Sequence, residues 1–174
     1  MLAALVHEDL DWERLTVWQV DERVAPDGHE DRNAGQLWFM PTELRLMPVA
    51  GDDLAMAAMR YAESLPDRFD VVHLGLGNDG HTASWPPVPH ADAPVVSGTS
   101  AVAMVGDFNG RGRMTLTPGP VNHARGRLIL TTGKSKADMV RRWLERDRSI
   151  PVSHVRRSGT TLFVDHAAAA KLPD

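Results

Sequence analysis

The run Val71-Val72-His73-Leu74-Gly75-Leu76 constrains the architecture of this chain more than any other segment, because it breaks at once into a turn. That turn holds Gly75, Gly77 and Gly80 around Asn78 and Asp79, and His81 follows directly. A short, mostly apolar run of this kind suits a central strand of a parallel sheet, covered on both faces. In such sheets ligands bind outside the carboxyl ends of the strands. Glycine tolerates positive φ and lets a ligand approach the backbone. A histidine placed there is suited to acid–base work, since its ordinary pKa of about 6.5 makes it a usable base near neutrality. Spacing alone fits two readings, a ligand-binding turn with a base or a tight turn with a solvated histidine. Gly75 to Gly80 also matches the dinucleotide fingerprint G-x-G-x-x-G in form. Against that stand Asp79, where a diphosphate needs neutral backbone, and Pro86, Pro87 and Pro89, which stop a long helix.

The flanking segments predict strands alternating with helices. Leu2 to Val6 reads as helical. Leu15 to Val20 is a strand running into Asp21-Glu22-Arg23, and Pro26, Asp27 and Gly28 mark a loop. Between Asp53 and Leu65, the spacing of Leu54, Ala58, Tyr61, Ala62 and Leu65 predicts a helix with one buried face, ended by Pro66. Strands are predicted at Ala101–Val105 and Met114–Thr117, with a turn at Asn109-Gly110. A further strand, Leu128–Thr132, is closed by Gly133. A helix face follows at Ala137, Val140, Trp143 and Leu144, then a strand at Thr161–Val164 and a terminal helix at Ala167–Lys171. The pattern is α/β, a Rossmann-like three-layer domain with a largely parallel sheet. Without repeats or linkers, residues 1–174 read as a single domain.

Composition narrows the function. At 174 residues and 43% hydrophobic content the chain can bury a sizeable core. Its net charge of −4 gives no reason to expect a nucleic-acid partner. It has no cysteine, which removes disulfides, thiolate metal sites and a thiol nucleophile. No apolar run reaches the roughly 18 residues of a membrane helix, and Met1 to Leu10 lacks the features of a signal peptide. The expectation is a soluble cytoplasmic protein with no membrane association. His7, His29, His90, His123, His154 and His166 show no metal-ligand spacing, so neither a metal nor a cofactor is expected.

Gly75-Leu76-Gly77-Asn78-Asp79-Gly80-His81-Thr82-Ala83-Ser84 resembles the Gly-x-Gly-x-Asp-Gly-His-Thr-Ala-Ser pattern of the 6-phosphogluconolactonase family. The related glucosamine-6-phosphate deaminases share the Asp-Gly-His core but continue differently. Asp21-Glu22-Arg23 with Pro26 and Asn33 resembles the family's Asp-Glu-Arg segment, where deaminases carry Asp-Glu-Tyr. Arg113-Met114-Thr115-Leu116-Thr117 and Thr132-Gly133-Lys134-Ser135-Lys136 resemble its Arg-x-Thr-Leu-Thr strand and Thr-Gly-x-x-Lys turn. Asp165-His166-Ala167-Ala168 resembles its C-terminal segment and reads as a helix cap. These motifs stand in the family's order. Two departures are local. Arg32 replaces a serine, and Trp85-Pro86-Pro87 replaces Leu-Phe-Pro, which predicts an altered pocket wall. Nothing ahead of Leu2 resembles the family's opening strand and Gly-Gly-Ser-Thr-Pro-like phosphate loop. The expectation is therefore a domain N-terminally truncated relative to the family, with part of the phosphate site missing.

The resemblance implies hydrolysis of 6-phospho-D-glucono-1,5-lactone, a small phosphorylated sugar lactone. His81 would act as general base, with Asp79 or Asp21 orienting it or the attacking water. Backbone N–H groups around Gly77 to Gly80 would steady the oxyanion. Arg23, Asn33, Arg113 and Lys136, with Lys134 competing, would hold the substrate and its phosphate. Two other readings stay open: a non-catalytic sugar-phosphate binder, and a deaminase-type isomerase.

Overall fold

The computed structural model describes residues 2–93, 95 and 98–173. Its elements run α1 (Leu2–Leu5), β1 (Thr16–Trp18), β2 (Asp21–Arg23), β3 (Glu43–Arg45), α2 (Leu54–Ser64), β4 (Val71–Gly75), β5 (Val102–Val105), β6 (Arg113–Leu116), α3 (Pro118–His123), β7 (Gly126–Thr131), α4 (Ala137–Leu144) and β8 (Thr160–Val164). Short 3-10 turns sit at Trp12–Arg14, Asn33–Gln36, Lys134–Lys136 and Pro151–His154.

Three groups of strands result. β4, β7 and β8 form a parallel sheet in the order β4-β7-β8, and β1 pairs with β3 in parallel. β2, β6 and β5 form an antiparallel sheet with β6 in the middle. Three of the five ladders among the described residues are thus parallel, consistent with a Rossmann-like α/β fold. The stretch from Leu15 to Arg23 is not one strand. It splits after Trp18, and Asp21–Arg23 crosses into the antiparallel sheet against Arg113–Thr115.

β4 corrects the expectation of a strand covered on both faces. Val72 and Leu74 are buried, whereas Val71 and His73 are exposed. Among the described strands β4 pairs on one side only, with β7. The polar residue at 73 and the glycine at 75 mark the period of two that an apolar count conceals.

The buried face carries the core. Val72, Leu74 and Ile129 meet Val121 of α3 and Met139, Val140 and Trp143 of α4. Each fully buried aliphatic side chain of this kind contributes about 1.5–3 kcal/mol. α2 starts at Asp53, whose carboxylate accepts the Met56 N–H at 2.9 Å, and it packs against β5. Tyr61 on its buried face donates to the carbonyl oxygens of Gln19 and Arg45, tying the helix to the β1–β3 pair. Arg127 of β7 is 1% exposed and has no carboxylate partner among the described residues. It donates to the carbonyls of Asn122, Ala124 and Ser158 and to Thr160 Oγ1, which joins α3 to β8.

At the C-terminal end the predicted helix is a series of turns. Asp165 caps it, accepting the Ala168 N–H at 2.7 Å, and the same carboxylate accepts the Gly133 N–H at 3.0 Å. Asp165 therefore also braces the loop after β7. None of the described helices is long and apolar enough to cross a membrane.

Candidate active site

Where β4 ends, the turn closes through its own backbone. Gly77 N–H donates to the His81 carbonyl at 2.8 Å, and Gly80 N–H donates to the Gly77 carbonyl at 3.2 Å. His81 N–H donates to Asp79 Oδ1 at 3.1 Å. These three donors are spent inside the turn, so the N–H groups of Gly77 and Gly80 are not free to meet a developing oxyanion. The glycines matter for space instead. A Cβ on Gly77 would lie 2.1 Å from His81 Nδ1 and 2.6 Å from Asp79 Oδ1. Gly80 has φ +86°, and a Cβ there would lie 2.8 Å from Ile150 Cβ. Gly77 is the floor beneath the His81–Asp79 pair, and Gly80 lets the turn lie on Ile150.

His81 Nδ1 lies 2.5 Å from Asp79 Oδ1. Burial opposes ionisation of Asp79, but the hydrogen bonds from the His81 backbone and ring outweigh it and hold the carboxyl below its ordinary value. An ionised Asp79 is an acceptor suited to an Nδ1 proton, the arrangement that turns Nε2 away from it. The geometry thus brings Asp79, rather than Asp21, to the histidine. Asp21 faces a different partner: its Oδ2 accepts the Ser84 hydroxyl at 2.7 Å and lies 4.0 Å from Arg113 Nη1. Burial pushes the Asp21 carboxyl up, and Ser84 and Arg113 only partly offset that.

The residues after His81 pin the turn from below. Thr82 Oγ1 donates to the Gly75 carbonyl at 2.7 Å, Ser84 N–H to Thr115 Oγ1 at 3.3 Å, and Trp85 Nε1 to the Leu116 carbonyl at 2.7 Å. Trp85 is 0% exposed and belongs to the core, so the pocket wall predicted to change at this position does not contain it.

A cavity of about 320 Å³ opens beside His81. Asp21, Arg23, Asn33, His73, Gly77, Arg113 and Lys136 line it, while Lys134 and Gly80 do not. Arg23 and Arg113 are cross-strand partners in β2 and β6. Burial and the charge of Arg23 push the Arg113 guanidinium below its ordinary value, and the carboxylates of Asp21, Glu22 and Asp107 pull it back. Three cationic side chains around one small cavity suit an anionic ligand. Asn33 donates from Nδ2 to the Asp21 carbonyl at 3.1 Å, which ties its loop to β2. A second cleft, of about 470 Å³, lies near α2 and contains no histidine. Its carboxylates are engaged, Asp27 with Arg32 and Asp53 as the helix cap.

Two residues that build this site escaped the sequence reading. Glu22 is fully buried; its carboxylate accepts N–H groups from Arg23, Asn33 and Ala34 and from the Gln19 amide, and it forms an ion pair with the Arg32 guanidinium at 3.0 Å. It is the hub that seats the Asn33 loop, and Arg32, the departure noted above, neutralises it. His73 lines the cavity, and its only sequence signal is a polar side chain inside an apolar run.

Residues 1–164 match the family model described as glucosamine-6-phosphate isomerases/6-phosphogluconolactonase. A putative 6-phosphogluconolactonase of Caenorhabditis elegans is 33% identical over 99% of this chain and 71% of its own length. The 6-phosphogluconolactonase of Pseudomonas aeruginosa is 34% identical over 92% of this chain and 74% of its own. In fold the chain is similar to the solved 6-phosphogluconolactonase of Thermotoga maritima, with TM-score 0.80 and 24% identity over 92% of this chain and 77% of that one.

Proposed function

The chain belongs to the glucosamine-6-phosphate isomerase/6-phosphogluconolactonase family, and on that premise we propose that it hydrolyses 6-phospho-D-glucono-1,5-lactone to 6-phosphogluconate, a step of the oxidative pentose phosphate pathway. The observation that carries the reading is the His81–Asp79 pair beside a cavity lined by Arg23, Arg113 and Lys136. Thr82-Ala83-Ser84 and Arg23 favour the lactonase over the isomerase, and the cysteine-free composition fits a cytoplasmic site of action.

His81 Nε2 takes a proton from water as the water oxygen bonds to the lactone carbonyl carbon. Asp79 stabilises the imidazolium that forms. The tetrahedral oxyanion then collapses, the bond from carbon to ring oxygen breaks, and the ring oxygen takes the proton back from His81. The product is the open-chain acid, which ionises. General-base help of this kind is worth about 10²–10⁴-fold. The cations lining the cavity hold the phosphate, with Lys136 rather than Lys134 in place for it.

The test is the formation of 6-phosphogluconate by the purified chain above the spontaneous rate. Acceleration supports the proposal. Binding of 6-phosphogluconate without acceleration replaces it with a non-catalytic binder, and ammonia release from glucosamine 6-phosphate replaces it with an isomerase. Gly77→Ala gives a sharper check of the site. Its new methyl group overlaps the His81–Asp79 pair, so kcat falls about a hundredfold. Circular dichroism should stay unchanged, and wild-type turnover would mean that the pair does not set the rate.

A further inference from the structure

Phe108 lies in the loop between β5 and β6, is 6% exposed, and does not line the cavity. Its ring nevertheless touches both halves of the site. The His81 ring stands perpendicular to it, with centroids 5.3 Å apart and an interplanar angle of 86°. The Arg113 guanidinium carbon is 5.5 Å from the centroid of the same ring, and Arg113 Nε donates to the Phe108 carbonyl at 3.2 Å. His90 packs perpendicular to it as well, at 5.7 Å and 82°.

The loop that carries this ring is itself held. Phe108 N–H donates to the Arg111 carbonyl at 2.9 Å across the Asn109-Gly110 turn. Asp107 Oδ1 accepts the Gly110 N–H, and Asp92 Oδ2 accepts the Gly106 N–H, each at 2.7 Å. His90 Nε2 contacts the Asp107 carbonyl at 2.7 Å.

The physical need is clear at His81. Asp79 fixes Nδ1, but one hydrogen bond leaves the imidazole free to tilt about that contact. A ring packed against it at a right angle removes the tilt and sets the direction of Nε2. The same ring carries Arg113 by a cation–π contact, so a single side chain touches both the base and this cation. We propose that Phe108 is a positioning residue that holds the His81 imidazole and the Arg113 guanidinium at a fixed spacing. The proposal rests on the reading of His81 as the base and Arg113 as an anion-binding group.

The experiment compares Phe108→Leu, which removes the ring, with Phe108→Tyr, which keeps it. Phe108→Met stands in for the leucine variant if that one melts early. The first readout is the NMR resonance of the His81 ring protons, assigned with His81→Asn, because a neighbouring aromatic ring displaces it. The second is the dissociation constant of inorganic phosphate, and the third is kcat on the lactone. In Phe108→Leu the displacement is lost, phosphate affinity weakens and kcat falls by about tenfold, as an aromatic contact of this kind would give. Phe108→Tyr retains all three. The proposal is overturned if Phe108→Leu keeps the wild-type phosphate affinity and kcat, or if Phe108→Tyr loses as much as Phe108→Leu. Absence of lactone turnover in every variant, with phosphate affinity still dependent on the ring, would sink the lactonase reading and leave the positioning role standing.

Discussion

Replacing His81 by asparagine lowers kcat/KM for lactone hydrolysis by about 10²–10⁴-fold, the range that general-base catalysis supplies. Asparagine keeps a hydrogen-bonding group near Asp79 but cannot accept and return a proton. The His81 side chain is 29% exposed and lies outside the buried core, so stability changes little. Arg23, Arg113 and Lys136 are untouched, so the affinity for 6-phosphogluconate, read by calorimetry, stays near the wild-type value. A variant that hydrolyses the lactone at the wild-type rate would remove His81 from the mechanism. One that loses product binding along with turnover would show that the imidazole also carries ligand affinity.

The second large effect falls on folding. Glu22→Gln costs about 3–5 kcal/mol, the penalty for breaking a buried ion pair, and lies toward the lower end because Arg32 keeps its contact with Asp27. The amide nitrogen now faces donors that need an acceptor, among Arg23 N–H, Asn33 N–H, Ala34 N–H and the Gln19 amide. A domain has only about 5–15 kcal/mol in total, so the melting temperature drops clearly at neutral pH. The pH dependence has a definite sign. Burial tends to raise the Glu22 carboxyl, but its hydrogen bonds win and lower it below 4.5. Its contribution is therefore fully present above 4.5 and is lost as pH falls through the lower folded-state value. The gap between wild type and Glu22→Gln in thermal melts should be wide at neutral pH and narrow well below pH 4.5. A gap that stays constant over that range would mean that the charge on Glu22 contributes nothing.

Local chemistry was readable from the chain. The end of β4, the glycine turn with His81, the buried face of α2, the Asn109-Gly110 turn and the amphipathic face of α4 all follow from residues within a few positions of one another. Features set by distant pairing were not. Nothing near Asp21 tells that it leaves β1 for a ladder with Thr115. The apolar count around Val72 conceals that Val71 and His73 face outward, because what covers a sheet face is decided elsewhere in the chain. The glycine turn suggests oxyanion donors, yet the N–H groups of Gly77 and Gly80 close on the turn itself, which only the folded backbone reveals. The choice between Asp79 and Asp21 was likewise geometric. Asp79 is two residues from His81 and folds back onto it, while Ser84 claims Asp21.

The cross-strand pairing of Arg23 with Arg113 has a thermodynamic consequence. Like charges placed opposite each other on neighbouring strands weaken the ladder that joins them, and here the Asp21 carboxylate, 4.0 Å from Arg113, is the adjacent counter-charge. On the proposed function, a doubly charged phosphate in the cavity would add to the neutralisation that Asp21, Glu22 and Asp107 give Arg113. Part of what the ligand gains on binding then appears as cohesion between β2 and β6, and occupancy and folding become linked equilibria. On the proposed function, phosphate buffer should raise the melting temperature where chloride at equal ionic strength does not.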